Sequence, residues 1–307
     1  MSVAAVVVSF NRLDYLKKCL RALEAQTRPL DEIIVIENGS TDGSAEYVTQ
    51  NHPGITLFET GANLGGAGGF AWGVELAIQK GHSFAWLMDD DAEPRPGALA
   101  PLLDVMESDS PPAFAAPLVR DQNGAVVPGN LPPISTNAES QLRAQRLGGT
   151  AISHTTFVGA LIDLKLAAAT TLPYADFFIW FDDVEYTQRL ARSSFGVLLM
   201  SSEVQHPNNV AVVDMGWRLY YFLRNSLWLT RLGRPTKVMA YQPVVRFVGL
   251  AILAARQFPV AKSKKTWLSG TLRGLYAGMF TLPRPLEPGE LWNSLGPERR
   301  SSIASRL

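Results

Sequence analysis

The chain has 307 residues, 47% of them hydrophobic, which excludes a disordered polypeptide and allows one large α/β domain with a helical extension. The single cysteine, Cys19, excludes an internal disulfide and reads as a buried structural thiol, and no Cys/His cluster points to zinc. The formal net charge of zero conceals an asymmetry: residues 1–214 carry 13 Lys and Arg against 25 Asp and Glu, whereas residues 215–307 carry 15 against 3.

Met1–Phe10 has neither a basic leader nor a cleavage pattern, and its β-branched run Ser2–Ser9 predicts a strand buried on both faces. Leu16, Leu20 and Leu23 predict a helix over Asp14–Gln26, Glu32–Glu37 a second strand, Ser44–Asn51 a helix and Ile55–Glu59 a third strand. The glycine-rich run Asn63–Gly69 leads into a helix to about Lys80, and the strand Phe84–Met88 runs directly into Asp89, Asp90 and Asp91. Strand and helix alternate at the spacing of a doubly wound, mainly parallel sheet. Ligands in such sheets bind beyond the carboxyl ends of the strands, which is where Ser9–Asn11, Glu37–Ser40, Asn63–Gly69 and Asp89–Asp91 fall.

The middle is less regular, with Pro and Gly punctuation over Pro111–Gln145 and a strand within His154–Asp163 carrying a close backbone approach at Gly159. A helix through Ser193 follows the aromatic run Phe177–Phe181, and a strand follows at Val197–Met200. Helices are expected over Trp217–Leu232, Val238–Gln257 and Lys265–Phe280, the last threaded by Gly270, Gly274 and Gly278; Ser294–Leu307 reads as polar and frayed. The composition change places a domain boundary at 214/215. No stretch reaches the ~18 uninterrupted apolar residues of a membrane span.

Three adjacent carboxylates repel one another unless a cation or hydrogen bonds compensate, and a hard divalent ion, Mg2+ or Mn2+, answers that need through carboxylate and diphosphate oxygens. The alternative for Asp89–Asp91 is a solvated acidic turn. Asn63, Gly65 and Gly66 lie in a run that is neither a dinucleotide fingerprint nor a P-loop, but glycines there let a backbone approach a ligand, or a helix pack closely. Asn63 could hydrogen-bond a phosphate or a sugar. Asp182 and Asp183 at a helix start serve either as N-terminal charges or as a general base acting on an acceptor hydroxyl. Trp180 before them is a platform for a sugar ring or ordinary core. His206, one of four histidines, can complete a metal site, and a lone loop histidine is as readily a bystander.

The segments VVVSFNR, IIVIENGSTDGS, NLGGAGGF, WLMDDDAEP, FVGALI and FDDVEYTQRL stand in the order seen in family-2 glycosyltransferases of the GT-A fold, which residues 3–230 resemble. NLGGAGGFAWG followed by WLMDDD is most similar to bacterial galactofuranosyltransferases; rhamnosyltransferases share much of the pattern. The resemblance implies that Ser9, Phe10 and Asn11 line a nucleoside pocket, with Glu37 and Asn38 against uracil or ribose. Glu37 departs from the Asp often found there. It further implies that Asp89 and Asp90 contact the donor and that Asp89, Asp91 and His206 hold the metal. Asp183 becomes the base with Asp182 supporting it, and Gly159, Trp180 and Asp182 border the acceptor. YYFLRN (Tyr220–Asn225) also resembles a stretch following the family's metal histidine, with no chemical role attached.

The expected activity is inverting transfer of galactofuranose from UDP-galactofuranose to a polyprenyl-linked saccharide. The alternatives are rhamnosyl transfer from dTDP-rhamnose, a metal-dependent nucleotidyltransferase, and a catalytically dead binding module. The basic, aromatic-rich region 215–307 suggests amphipathic helices at an anionic membrane surface, or a bundle packed on the catalytic part. The expected location is cytoplasmic, on the inner face of the plasma membrane. Nothing accompanies that basic charge that would indicate nucleic acid.

Overall fold

The computed structural model describes residues 1–208, 214–233 and 242–304. The first part alternates as the hydropathy requires: β1 (Val3–Ser9), α1 (Leu13–Glu24), β2 (Glu32–Glu37), α2 (Ser44–Asn51), β3 (Thr56–Glu59), α3 (Gly65–Gln79) and β4 (Phe84–Asp89). Every residue of β1 is buried, which is why the run is continuously apolar rather than alternating. β1 pairs in parallel with β2 and with β4, and β2 with β3. The strand expected at Ile55 begins one residue later. The glycine run is no loop: α3 starts inside it, at Gly65.

The chain continues through β5 (Glu93–Pro94), α4 (Leu99–Met106), β6 (Phe114–Arg120), α5 (Ala138–Arg146), β7 (Thr150–Ile152), β8 (Val158–Asp163), α6 (Leu164–Ala168), α7 (Asp182–Leu190) and β9 (Gly196–Gln205). The sheet order is β3-β2-β1-β4-β8-β6-β9-β5, with β7 on β9. β8 runs antiparallel to both β4 and β6, while β6 and β9 are parallel. The sheet is parallel over β3-β2-β1-β4, as expected, and becomes mixed where β8 enters between β4 and β6. β9 extends five residues beyond the expected Met200 and carries Gln205, next to His206, to the cleft rim.

Two apolar cores flank the sheet. Leu16, Leu20, Leu102 and Trp86 pack on one side, with Cys19 fully buried among them. Phe70, Val74, Phe114 and Tyr186 pack on the other. Gly69 and Gly73 let α3 lie on β1: a Cβ at either would come within 2.4 and 2.2 Å of the Val8 and Val6 methyls.

After the composition change come α8 (Arg218–Leu232), α9 (Gln242–Gln257), α10 (Lys264–Phe280), α11 (Glu290–Ser294) and α12 (Pro297–Ala304). Residues 238–241 of the expected second helix and 305–307 of the tail lie outside the described residues. α8, α9 and α10 share a small core of Leu219, Leu223, Leu227, Leu250, Ala254 and Leu275. The α10 glycines bring it against α8; a Cβ at Gly274 would lie 2.7 Å from the Tyr220 carbonyl oxygen. The expected frayed tail is instead helical, and Leu295 and Ile303 are buried in the second core of the first part. Two well-placed apolar side chains anchor a segment whose overall composition is polar. No helix among the described residues is long and apolar enough to cross a membrane.

Candidate active site

The carboxyl ends of β1 and β4, the start of α3 and the start of α7 enclose a cleft of about 1000 Å³. It is lined by Phe10, Asn38, Asn63, Gly66, Asp89–Asp91, Trp180, Asp182, Asp183 and His206 among others. Segments up to about two hundred residues apart in sequence thus meet at one place because the strand ends meet there.

Asp90 is buried and accepts from the Ser9 hydroxyl at 3.0 Å and the Phe10 amide at 3.1 Å. Burial pushes its carboxyl up to about 6 against the pull of Arg12. Arg12 Nη1 lies 3.5 Å from Asp90 Oδ1 and 2.5 Å from Asp91 Oδ2, so one guanidinium ties both carboxylates to the end of β1. His206 Nε2 stands 3.1 Å from Asp91 Oδ1. Burial alone would raise Asp91, but the His206 imidazole and the Arg12 charge outweigh it and hold the carboxyl below its ordinary value. Asp89 goes the other way: burial, then the charges of Asp91, Asp90 and Asp182, push it well up.

Glu37 and Asn11 shape the neighbouring loop rather than the cleft wall. Glu37 accepts from the Gly39 amide at 3.0 Å and the Ser40 amide at 2.6 Å. Asn11, at a left-handed φ of 52°, accepts from the Thr41 amide at 2.8 Å and donates its own amide to the Ser40 hydroxyl. Asn38 donates from Nδ2 to the Gly65 carbonyl at 2.9 Å, and Asn63 accepts from the Gly65 amide at 2.8 Å, so both fasten the start of α3. Gly65 is required there: at φ 71° its Cβ would lie 2.0 Å from the Phe178 carbonyl oxygen. Gly66 has open space in front of it.

Asp182 and Asp183 begin α7, after a strap in which Phe178, Trp180 and Phe181 all take left-handed φ of 63°, 66° and 73°. Burial and then the charge of Asp183 push Asp182 well above its ordinary range. Burial raises Asp183 to about 6, although the amides of Val184 and Phe157 oppose it. No side-chain cation is paired with either residue among the described residues. Gly159, expected at the acceptor side, lies behind the wall. Its carbonyl accepts from Trp86 Nε1 at 2.8 Å, and a Cβ would meet Val204 at 2.8 Å. Its neighbours Phe157 and Val158 line the cleft in its place.

Among the described residues no three Asp, Glu, His or Cys side chains are gathered around one point as a metal cage. The structure pairs Asp91 with His206, and no ion pair joins Asp89 to that histidine among the described residues. The donor set nevertheless fits a hard divalent ion, being carboxylate and imidazole in a cleft with a large excess of negative charge. Among the described residues His206 Nδ1 is buried with no hydrogen-bond partner. Arg12 and Arg218, the latter also on the cleft wall, are the site residues that motif reading passes over. The need for a cation beside three carboxylates was the signal for Arg12.

A search against known proteins gives the same direction. The family model for glycosyl transferase family 2 matches residues 4–167, just over half of the chain. Galactofuranosyltransferase GlfT1 of Mycobacterium tuberculosis is 36% identical over 224 residues, which are 67% of this chain and 70% of that protein. The N-acetylglucosaminyl-diphospho-decaprenol L-rhamnosyltransferase of the same organism is 30% identical over 131 residues, 40% of this chain and 43% of that one. Of solved structures, S. aureus TarS 1-349 superposes with a TM-score of 0.61 at 14% identity, covering 99% of this chain and 83% of that one. A Pyrobaculum calidifontis mannosyltransferase in complex with GDP-Man and Mn2+ gives 0.56 at 14% identity, covering 95% and 88%. The mixed α/β sheet is thus that of GT-A-type glycosyltransferases, and the chain belongs to glycosyl transferase family 2.

Proposed function

We propose that the chain moves galactofuranose from UDP-galactofuranose, with inversion, onto a hydroxyl of a polyprenyl-linked saccharide in bacterial surface-polysaccharide synthesis. The observation that carries this reading is the meeting of two unlike acidic groups across one cleft. One is tied to the Arg12 guanidinium at the end of β4, through Asp90 and Asp91; the other, Asp182 and Asp183, meets only backbone amides at the start of α7, with Asp183 raised to about 6. The 36% identity to a galactofuranosyltransferase over 224 residues supports the choice of sugar. The second reading, rhamnose from a dTDP donor, is favoured by the similarity to the rhamnosyltransferase over 131 residues.

In this mechanism Phe10 and Asn38 border the nucleoside, and Ser9 acts by holding Asp90. Gly66 offers open space for the diphosphate. Asp91 and His206, with Asp89 from the same strand end, would hold Mn2+ or Mg2+, which would supply positive charge to the departing diphosphate. Asp183 accepts the proton of the attacking acceptor hydroxyl as the new glycosidic bond forms and the bond to the diphosphate breaks. A carboxylate titrating near 6 is ionised at neutral pH yet basic enough to take that proton. Trp180 borders the acceptor, and Asp182 keeps a second carboxyl beside the base.

The lipid acceptor implies a membrane surface, and α9 and α10 provide a suitable face. Leu268, Leu272, Tyr276 and Phe280, four residues apart along α10, are 50 to 71% exposed. Val244, Val245, Val248 and Ile252 are similarly exposed on α9. Arg256, Lys262, Lys264 and Lys265 stand nearby in sequence, the arrangement of an interfacial helix pair on anionic lipid. Residues 1–214 would then carry the chemistry, joined at the cleft wall by Arg218, and α9 and α10 would meet the membrane. Flotation with anionic liposomes at low salt tests this face; no binding removes it.

Transfer is tested with purified protein, Mn2+ or Mg2+, a lipid-linked rhamnosyl-GlcNAc acceptor, and both donors side by side. Metal-dependent transfer from UDP-galactofuranose that is lost in Asp183→Ala supports donor and base together. Transfer from dTDP-rhamnose alone moves the assignment to the second reading.

A further inference from the structure

Helix α8 reaches from the C-terminal region into the catalytic part at one point. Asn225, fully buried, directs Nδ2 at three backbone carbonyls of the strap: Phe177 at 2.9 Å, Ile179 at 2.9 Å and Trp180 at 3.1 Å. The orientation of this amide is set by its neighbour, because Arg224 Nε donates to Asn225 Oδ1 at 2.9 Å. Arg224 Nη2 adds bonds to the Asp176 and Phe177 carbonyls, and its guanidinium lies 4.0 Å from the Trp228 ring centroid. The strap's rings rest on the same helix, Phe178 stacked on Tyr221 at 5.0 Å and Phe181 against Phe222 at 5.6 Å.

What these contacts hold is a conformation that bulky residues rarely adopt. Phe178, Trp180 and Phe181 all have positive φ, and with the backbone so turned consecutive carbonyls cannot be satisfied by a regular ladder. From the opposite side the strap is closed off by Gly65, which leaves no room for a Cβ, and by the Ala67 amide donating to the Phe178 carbonyl at 3.3 Å. The strap ends at Phe181, the residue that opens α7, and Asp183 is the second residue of that helix.

We propose that Asn225, oriented by Arg224, is a positioning residue for the transfer reaction. It locks the strap in its positive-φ form and so fixes where Asp183 stands in the cleft. The proposal rests on the reading of Asp183 as the base. It also gives YYFLRN a role and makes α8 part of the catalytic machinery rather than an appended helix. Strained backbone held by surrounding structure beside a reacting group is where small displacements cost most.

The test compares wild type, Asn225→Ala, Asn225→Ser, Asp183→Ala and the double variant Asn225→Ala/Asp183→Ala by kcat, donor KM, UDP affinity from calorimetry, and thermal melting. Asn225→Ala is expected to bind UDP as wild type does and to keep KM within about threefold, while kcat falls about 100-fold. Asn225→Ser, which keeps one donor, should fall less and serves alone if the alanine variant does not fold. In the Asp183→Ala background the loss of Asn225 should cost little more, since both changes disable one group. A wild-type kcat in a folded Asn225 variant overturns the proposal, as does a UDP affinity that falls in step with kcat or a full additive loss in the double variant. Wild-type turnover in Asp183→Ala would instead sink the base assignment, leaving the two failures distinguishable.

Discussion

The two acidic groups of the cleft differ in how their charge is met. At the end of β4, Arg12 and His206 stand against Asp90 and Asp91, and Asp91 lies below its ordinary value as a result. At the start of α7, Asp182 and Asp183 have only backbone amides, and burial leaves both above their ordinary values. Asp91, a carboxylate kept charged with the Arg12 guanidinium beside it while burial raises Asp89 and Asp90, suits a standing electrostatic task such as holding an ion and a diphosphate. One poised near 6 suits picking up a proton and releasing it. The same residue type is thus given two jobs by its surroundings.

The largest effect that would break this comparison is at Asp183. Asp183→Asn keeps the shape and removes the basic oxygen, so kcat should fall about 10³-fold with UDP affinity unchanged, by steady-state kinetics and calorimetry. Asp91→Asn or His206→Ala should do the converse, weakening Mn2+-dependent UDP binding about 10- to 100-fold. A Mn2+ titration followed by calorimetry reads this, and an unchanged affinity would remove both from the metal site.

A pH profile sharpens the contrast. The base must be ionised to accept a proton, so kcat should drop about tenfold per unit as pH falls below the raised Asp183 value of about 6, rather than below the ordinary carboxylate range. That limb should be missing from the residual activity of Asp183→Asn.

Glu32, away from the cleft, is the fully paired extreme. Burial opposes its charge, but hydrogen bonds from His82 and Lys80 bring it down to about 2 from 4.5. Its stabilising contribution is present above the unfolded value and lost as pH falls toward 2; at about 1.4 kcal/mol per unit the shift corresponds to about 3.5 kcal/mol, which solvent screening of a half-buried group reduces to about 2 kcal/mol. Glu32→Gln should lower urea stability at pH 7 by about that amount, with the difference from wild type closing in acid. The smallest effect is expected at the contact of α10 with α8: Gly274→Ala, pressing a methyl toward the Tyr220 carbonyl, should destabilise by about 1–2 kcal/mol in a melting experiment.

Much of the cleft was legible because its residues lie at strand and helix ends that hydropathy alone marks. Phe10, Asn38, Asp89–Asp91, Asp182, Asp183 and His206 all fall on or beside such ends, and the structure brings them to one place. Gly159 and Glu37 show the limit. Each sits in a recognisable motif, yet Gly159 packs under Trp86, and both Glu37 oxygens are taken by the loop that follows. A motif gives position along the chain, and which side of a strand faces the cleft depends on the neighbours it meets.

The sequence by itself determined the alternation of β1 to β4, the acidic strand end and the change in character after residue 214, since all three are set by local periodicity and composition. Only the tertiary structure decided that β8 enters antiparallel, that the polar tail is anchored by Leu295 and Ile303, and that α8 grips the strap before Asp183. Those outcomes depend on contacts between residues tens to hundreds of positions apart, and a positive-φ strap of Phe and Trp leaves no signature in the residues that form it.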